Sequence, residues 1–332
     1  MTPRSPAGPT APAAVLLAAL AGAAFAGTRS APAQPAPPCV ETPPPLQVPP
    51  PLQVPPPLRV PPPLRLPPPP QWPLPELPRA PEEPGQPREG QEGKDVIWLP
   101  TPEALVERML AMAQVGPRDV VYDLGSGDGR VVIAAARRGA RAVGVEFNPE
   151  LVAFSEKRAR IEGVAGRARF VRGDIFETDF SEATVVTLYL LPSLNLRLRP
   201  TLLGLRPGTR VVSHAFAMED WTPDEVSRAG GRTARLWIVP ASVDGPWHLD
   251  LRDGPSFDLT LVQRFQRLEG VVALGGAEAS LREPALRGDA VRFGFVDAGG
   301  TGYELAGTVS GNRMTGGYEA AGTSGEWTAV RP

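Results

Sequence analysis

The strongest pattern along the chain is a series of short apolar runs, each closed by glycine or a charged residue and followed by helical spacing. The first run is Val120-Val121-Tyr122, closed by Asp123 and followed by Leu124-Gly125-Ser126-Gly127-Asp128-Gly129-Arg130. Short β-branched and aromatic runs bounded by turn residues predict strands. Strands are therefore expected over 120–123, 141–145, 168–171, 183–188 and 209–213, with helices over 128–138, 149–162 and 193–204. Ahead of them Leu105, Met109 and Met112 recur at helical spacing and predict a core-facing helix. Thr101 suits its N-cap and Pro102 its first helical position. Strands alternating with helices imply an α/β fold whose parallel sheet is covered on both faces, with ligands at the carboxyl ends of the strands.

The pattern changes after Pro240. Residues 247–252, 257–264, 270–274, 290–295, 303–309 and 327–330 read as short strands separated by Gly, Asp and Asn turns. Strands at such spacing predict an appended antiparallel β domain, a small barrel or a sandwich. The expected organisation is a signal-like segment at 1–26, a proline-rich stem at 27–94, the α/β domain at 95–243 and the β domain at 244–332.

The first two segments have their own logic. Arg4, an apolar run over 13–25 and Ala24-Phe25-Ala26 match a secretory signal with its cleavage site. Four proline hexapeptides over 43–66 leave polyproline II as the regular conformation, since proline fixes φ and removes a donor. At about 3.1 Å per residue they would span roughly 75 Å as a semi-rigid spacer. The charged, proline-rich continuation over 73–93 has the composition of a disordered linker. Used as a signal, the segment 1–26 would export the chain; left uncleaved, it would anchor it at the membrane, and either would allow an envelope association, whereas a segment that is not used leaves the chain in the cytoplasm.

Composition narrows the chemistry. A net charge of −2 gives no general affinity for polyanions, so no nucleic-acid partner is expected. Cys39 is the only cysteine, which excludes a disulfide framework, and His214 and His248 are too few for a histidine metal cluster, so no metal is expected. Two of the 34 basic residues, Lys94 and Lys157, are lysine.

The candidate chemistry lies at the strand ends. Glycine at alternate positions lets the turn after residue 124 tighten and lets its backbone approach a ligand. The spacing G-x-G-x-G differs from the dinucleotide fingerprint, and Asp123 would repel a pyrophosphate, so a ligand with an ammonium group suits the turn better. Glu146, about twenty residues after the first glycine, is placed to accept hydrogen bonds from ribose hydroxyls. Asp174 follows the third strand, Tyr189 and Pro192 follow the fourth and His214 the fifth.

Asp123-Leu124-Gly125-Ser126-Gly127-Asp128-Gly129-Arg130 resembles the first motif of class I S-adenosylmethionine-dependent methyltransferases. The segment 98–223, with Leu99-Pro100-Thr101, Gly144-Val145-Glu146-Phe147-Asn148-Pro149 and Trp221-Thr222-Pro223, is similar to the lysine methyltransferases of the ATP synthase c-subunit and the adenine nucleotide translocase. The resemblance implies a Rossmann-like sheet and S-adenosyl-L-methionine as cofactor. Asp123, Gly125, Ser126, Gly127, Asp128 and Gly129 would hold its methionine part, Glu146 the ribose and Asp174 the adenine edge. Tyr189 and Pro192 would shape the acceptor channel, and His214 would be either a base or a structural residue. The implied reaction is methylation of a protein lysine amine. The fourth-strand exit, Tyr189-Leu190-Leu191-Pro192-Ser193-Leu194-Asn195, departs from the relatives, which keeps a small-molecule acceptor open. The signal-like N-terminus keeps open a non-catalytic envelope protein that retains the fold.

Overall fold

The structure, a computed structural model, describes residues 99–332. The signal-like segment, the proline repeats, the linker and Trp98 lie outside the described residues.

The first strands are β1 (Val120–Leu124), β2 (Arg141–Glu146), β3 (Ala168–Arg172), β4 (Val185–Leu188) and β5 (Arg210–His214). An edge hairpin, β6 (Glu225–Ala229) and β7 (Arg232–Ile238), completes a seven-stranded sheet in the order β3-β2-β1-β4-β5-β7-β6. The sheet is mixed rather than wholly parallel, because β7 runs antiparallel to β5. The hairpin escaped the sequence pattern: Glu225-Val226-Ser227-Arg228-Ala229 has a half-exposed edge to satisfy and no apolar run.

The helices are α1 (Glu103–Met112), α2 (Arg130–Arg137), α3 (Pro149–Ile161) and α4 (Pro192–Leu203). Alternation along the strands sorts them. Val121, Ala142 and Val185 pack with α1, α2 and Ala159 of α3 in one cluster. Tyr122, Val143, Val145, Val186 and Leu188 point the other way, onto Leu198 and Leu202 of α4. A side-chain period of two produces this division. α3 begins as its sequence suggests, with Asn148 accepting a 2.9 Å hydrogen bond from the Glu150 N–H and Pro149 at the first helical position. α1 differs from expectation. It starts after Pro102 with no side-chain cap, because the Thr101 hydroxyl is used instead on His214, 3.1 Å away.

The β domain comprises β8 (Gly245–Leu251), β9 (Ser256–Arg264), β10 (Arg267–Leu274), β11 (Ala277–Ser280), β12 (Arg282–Arg287), β13 (Ala290–Val296), β14 (Gly302–Ser310), β15 (Arg313–Ala320) and β16 (Thr323–Val330). Chain neighbours pair throughout except between β11 and β12, and β16 returns to pair with β8. Leu281 alone joins β11 to β12, and its N–H extends the β10 ladder by donating to the Gly270 carbonyl at 2.9 Å, so the strands paired with β10 and with β13 run into one another and the sheet is nearly closed. Of the two expected forms this is the barrel. Its interior alternates strictly, with Trp247, Leu249 and Leu251 from β8 and Phe257, Leu259 and Leu261 from β9 turned inward. A small barrel has room for little more than its own side chains. Glycine at 307 is required there, because a Cβ would lie 2.6 Å from the Trp327 ring.

The barrel grips the α/β domain through the β9–β10 hairpin. Phe265 stacks on Trp221 with centroids 5.9 Å apart, Arg264 pairs with Asp220 at 3.1 Å, and Gln266 Nε2 donates to the Thr222 carbonyl at 2.6 Å.

Candidate active site

A cleft of about 300 Å³ opens at the carboxyl ends of β1, β2 and β4. Its polar floor is built by the turn between β1 and α2. Gly125, Gly127 and Gly129 all have positive φ, at 80°, 53° and 77°, which glycine adopts without strain. Two glycine positions around the turn are also crowded. A Cβ at 129 would sit 2.7 Å from the Phe170 ring, and one at 144, on the neighbouring strand, 2.6 Å from Ser126 Oγ. Ser155 Oγ on α3 donates to the Gly127 carbonyl at 3.0 Å and fixes the turn from behind.

Asp123 is 6% exposed and lines the cleft. Thr187, its register partner on β4, donates a 2.7 Å hydrogen bond to Oδ1. Burial pushes the Asp123 carboxyl up to about 7 against the pull of that bond, and the negative charges of Asp128 and Glu146 add to the rise. No cation among the described residues offsets this carboxyl. Ser126 Oγ is buried on the same floor with no partner among the described residues. A polar, positively charged ligand group would satisfy both.

Glu146 lines the cleft at the end of β2. The Gly127 and Asn148 N–H groups each donate to one of its oxygens at 2.9 Å. Both bonds hold the carboxylate rigid and leave each oxygen a further lone pair for hydroxyl donors. Asp174 lines the cleft beyond β3 and accepts from the Phe176 N–H at 2.9 Å. Asp128 borders the cleft but is drawn towards arginine: Arg130 Nη2 lies 2.7 Å and Arg158 Nη1 2.9 Å from Oδ2.

The remaining candidates separate. Tyr189 lines the cleft and stacks on His214 at 3.8 Å between centroids. His214 is 1% exposed, lies behind Tyr189 and is not among the cleft-lining residues. Burial, with the Arg232 charge, lowers its pKa to about 4, so its ring is neutral near pH 7, and Nε2 is buried without a partner among the described residues. Pro192 is exposed at the start of α4 and does not line the cleft, and Gly127 and Gly129 shape the turn without lining it.

Sequence reasoning missed the apolar half. Leu99, Pro100, Phe147, Leu191, Leu194 and Phe216 also line the cleft, and Leu99, Phe147 and Leu191 are exposed at 39%, 45% and 44%. Phe216 follows a γ-turn: its N–H donates to the His214 carbonyl at 2.8 Å around Ala215, whose φ is +64°. Such a turn is rare and strained in an alanine. Thr187 was detectable, as the one polar residue inside the apolar run of β4.

Comparison with known proteins follows this geometry. Residues 123–225 match the family model described as the ANTKMT methyltransferase domain. A protein-lysine N-methyltransferase of Saccharolobus islandicus (strain REY15A) is 51% identical over 151 residues, 43% of this chain and 94% of that protein. The Homo sapiens lysine N-methyltransferase that acts on the ATP synthase c-subunit is 38% identical over 146 residues, 44% of this chain and 61% of that protein. The chain thus spans about three fifths of the human relative's length. A solved structure of an RNA methyltransferase from Salinibacter ruber, in complex with S-adenosyl-L-homocysteine, is 54% identical, covers 44% of this chain and 96% of that one, and has a TM-score of 0.43.

Proposed function

This chain belongs to the family of S-adenosylmethionine-dependent protein-lysine N-methyltransferases, and from that premise we propose that its cleft methylates the side-chain amine of a lysine in a protein. The observation that carries the reading is Asp123, a buried carboxyl raised to about 7 that faces the cleft among anionic neighbours.

The residues fit the cofactor. Asp123 and Ser126 would receive its ammonium and carboxylate end, with the turn over Gly125–Gly129 approaching closely; Glu146 would accept from the ribose hydroxyls and Asp174 from the adenine amino group. When bound, S-adenosylmethionine supplies a methyl group already made electrophilic by a sulfonium. What the chain must add is alignment and exclusion of water. The apolar rim of Leu99, Leu191 and Phe216 desolvates an entering lysine, which favours the free amine over the ammonium. Tyr189 forms the wall of the acceptor side. His214 supports that ring and carries no proton in the reaction, since its neutral, buried imidazole has no access to the cleft.

Calorimetric titration of the full chain with S-adenosylmethionine, paired with mass spectrometry of a lysine-containing protein mixture, tests the reading. Binding that is lost in folded Asp123→Ala and Glu146→Ala variants, with methyl groups found on lysine, is expected. Methylation confined to small amines or to nucleotides would sink the protein-lysine assignment.

The apolar run over 13–25 would attach the enzyme to the envelope with its catalytic unit on the cytoplasmic side, where the methyl donor is made. A reporter fused after residue 94 should be active only in its cytoplasmic form; an exported reporter would remove this part of the reading.

A further inference from the structure

We infer that the β barrel is a positioning element of the cleft: Phe265, at the tip of its β9–β10 hairpin, holds the loop 215–222 and, through it, the Tyr189–Phe216 wall that the lysine acceptor meets. The inference rests on the protein-lysine reading above only for what that wall receives.

The loop follows β5 and needs support from outside itself. Ala215 and Glu219 have φ of +64° and +51°, and Phe265 has +56°; these are three of the seven non-glycine residues with positive φ among the described residues. Strained backbone of this kind persists only where its surroundings over-determine it. Part of that restraint comes from β7. The Ala215 N–H donates to the Thr233 carbonyl at 2.7 Å, Arg235 donates to the Ala215 carbonyl, and Trp237 Nε1 donates to the Trp221 carbonyl at 2.7 Å.

The rest comes from the barrel. Trp221 is fully buried, and the Phe265 ring stacks on it at 20° between planes. Asp220 is shared between two elements: Arg199 of α4 reaches Oδ1 at 2.6 Å and Arg264 of β9 reaches Oδ2 at 3.1 Å. The same Arg199 donates to the Met218 carbonyl at 3.1 Å and lies 5.5 Å from the centre of the Phe265 ring. Helix α4, braced in this way, carries Leu194 of the cleft.

From Trp221 the connection to the cleft is short. Its N–H donates to the Met218 carbonyl at 3.1 Å within an isolated β-bridge, so the two residues move together. Met218 is fully buried and stands two residues from Phe216. Phe216 lines the cleft, with its ring centroid 6.3 Å from that of Tyr189 and the planes 19° apart. The acids of the floor are held differently: Asp123 by Thr187, and Glu146 by the Gly127 and Asn148 N–H groups. Displacing the hairpin tip therefore misplaces the wall and spares the floor. Methyl transfer depends on alignment, so such a displacement is felt by the acceptor.

The test uses the full chain with S-adenosylmethionine and poly-L-lysine as acceptor. Phe265→Ala should raise KM for poly-L-lysine about three- to tenfold, the range of one aromatic contact. Both kcat and the dissociation constant for S-adenosylmethionine should be unchanged. Phe265→Tyr, which keeps the ring, should restore the wild-type KM, and Phe265→Leu, which keeps apolar volume without the ring, should not. A second readout needs no methyl transfer. In a Cys39→Ser background, the thiol of Phe216→Cys should react faster with a thiol reagent once Phe265→Ala is added, and that of Phe147→Cys, beside Glu146, should not. Unchanged KM with unchanged labelling at position 216 overturns the inference. Weakened donor binding, or faster labelling at both positions, also overturns it, since the barrel would then act on overall stability alone. Methyl transfer to neither poly-L-lysine nor a lysine-containing protein mixture, with labelling at 216 still responding to position 265, overturns the lysine reading and leaves the positioning role standing.

Discussion

Arg130 Nη1 donates a 2.9 Å hydrogen bond to the Thr101 carbonyl while the other end of the same guanidinium clamps Asp128. One side chain therefore ties the glycine turn to Leu99-Pro100-Thr101, which line the same cleft. Thr101 passes the connection on to His214, and His214 to Tyr189. The two halves of the cleft are held in one network.

Removing that tie should cost stability and register together. Arg130→Met should lower unfolding stability by about 2 kcal/mol, the usual range for hydrogen bonds to a charged group. It should also raise KM for the lysine acceptor. Arg130→Lys should recover only part, since an ammonium cannot span both partners. Urea denaturation with steady-state kinetics checks this; equal behaviour of wild type and the Lys variant would show that charge alone matters.

Asp123 makes the free protein sensitive to pH. Its folded pKa of about 7 lies above the unfolded value of 3.8, so the folded state binds more protons between the two. The contribution of this group to stability is therefore full below about pH 4 and is lost as pH rises through 7. Asp123→Asn should remove that slope and be more stable than wild type at pH 8 in the absence of cofactor. Because a cationic ligand group prefers the carboxylate, cofactor affinity of the wild type should rise from pH 6 to pH 8 and that of Asp123→Asn should stay flat. Thermal melts and calorimetry across that range decide it.

The glycines of the turn should not be equivalent. An alanine Cβ at 129 meets the Phe170 ring at 2.7 Å and Ser155 Cβ at 2.9 Å, whereas at 125 it meets only the movable Leu190 Cδ2 at 3.3 Å. Both positions carry the left-handed penalty. Gly129→Ala adds overpacking and should destabilise by about 3 kcal/mol, against about 1 kcal/mol for Gly125→Ala. Chemical denaturation of both variants would reveal whether packing or ligand approach explains the glycine at 129.

Phe265 couples the barrel to the Trp221 loop from a strained backbone. Its φ is +56°, so truncation has two opposed effects. Phe265→Ala loses the stack on Trp221 and keeps the strain, while Phe265→Gly loses the stack and relieves it. The glycine variant should be the more stable by about 1 kcal/mol. Both should expose the 220–222 loop to limited proteolysis; unchanged cleavage would mean that Arg264 and Gln266 hold the hairpin unaided.

Much of the α/β fold was legible because its signals are local. A buried strand such as Val120-Val121-Tyr122, a helix start such as Asn148-Pro149-Glu150 and a turn with three glycines each declare themselves within a few residues. The acids Asp123, Glu146 and Asp174 could be found for the same reason, since strand ends in such a sheet converge. The antiparallel hairpin was not legible: its edge strand β6 has no continuous apolar run, and the run Leu236-Trp237-Ile238 in β7 does not by itself declare an antiparallel pairing with β5.

The sequence by itself determined the glycine turn, the acidic floor and the alternation of β domain residues that fills a barrel, since each follows from side-chain period and backbone freedom. Tertiary structure alone decided the Tyr189 side of the cleft. Thr101, local by sequence a cap for α1, gives its hydroxyl to an imidazole 113 positions away. His214, one of the candidates at a strand end, is turned into the core behind Tyr189, and the γ-turn at Ala215 brings Phe216 to the cleft in its place. The physical reason is that these contacts pair groups distant in the chain, whose choice between local and distant partners is settled only when burial removes water as the competitor.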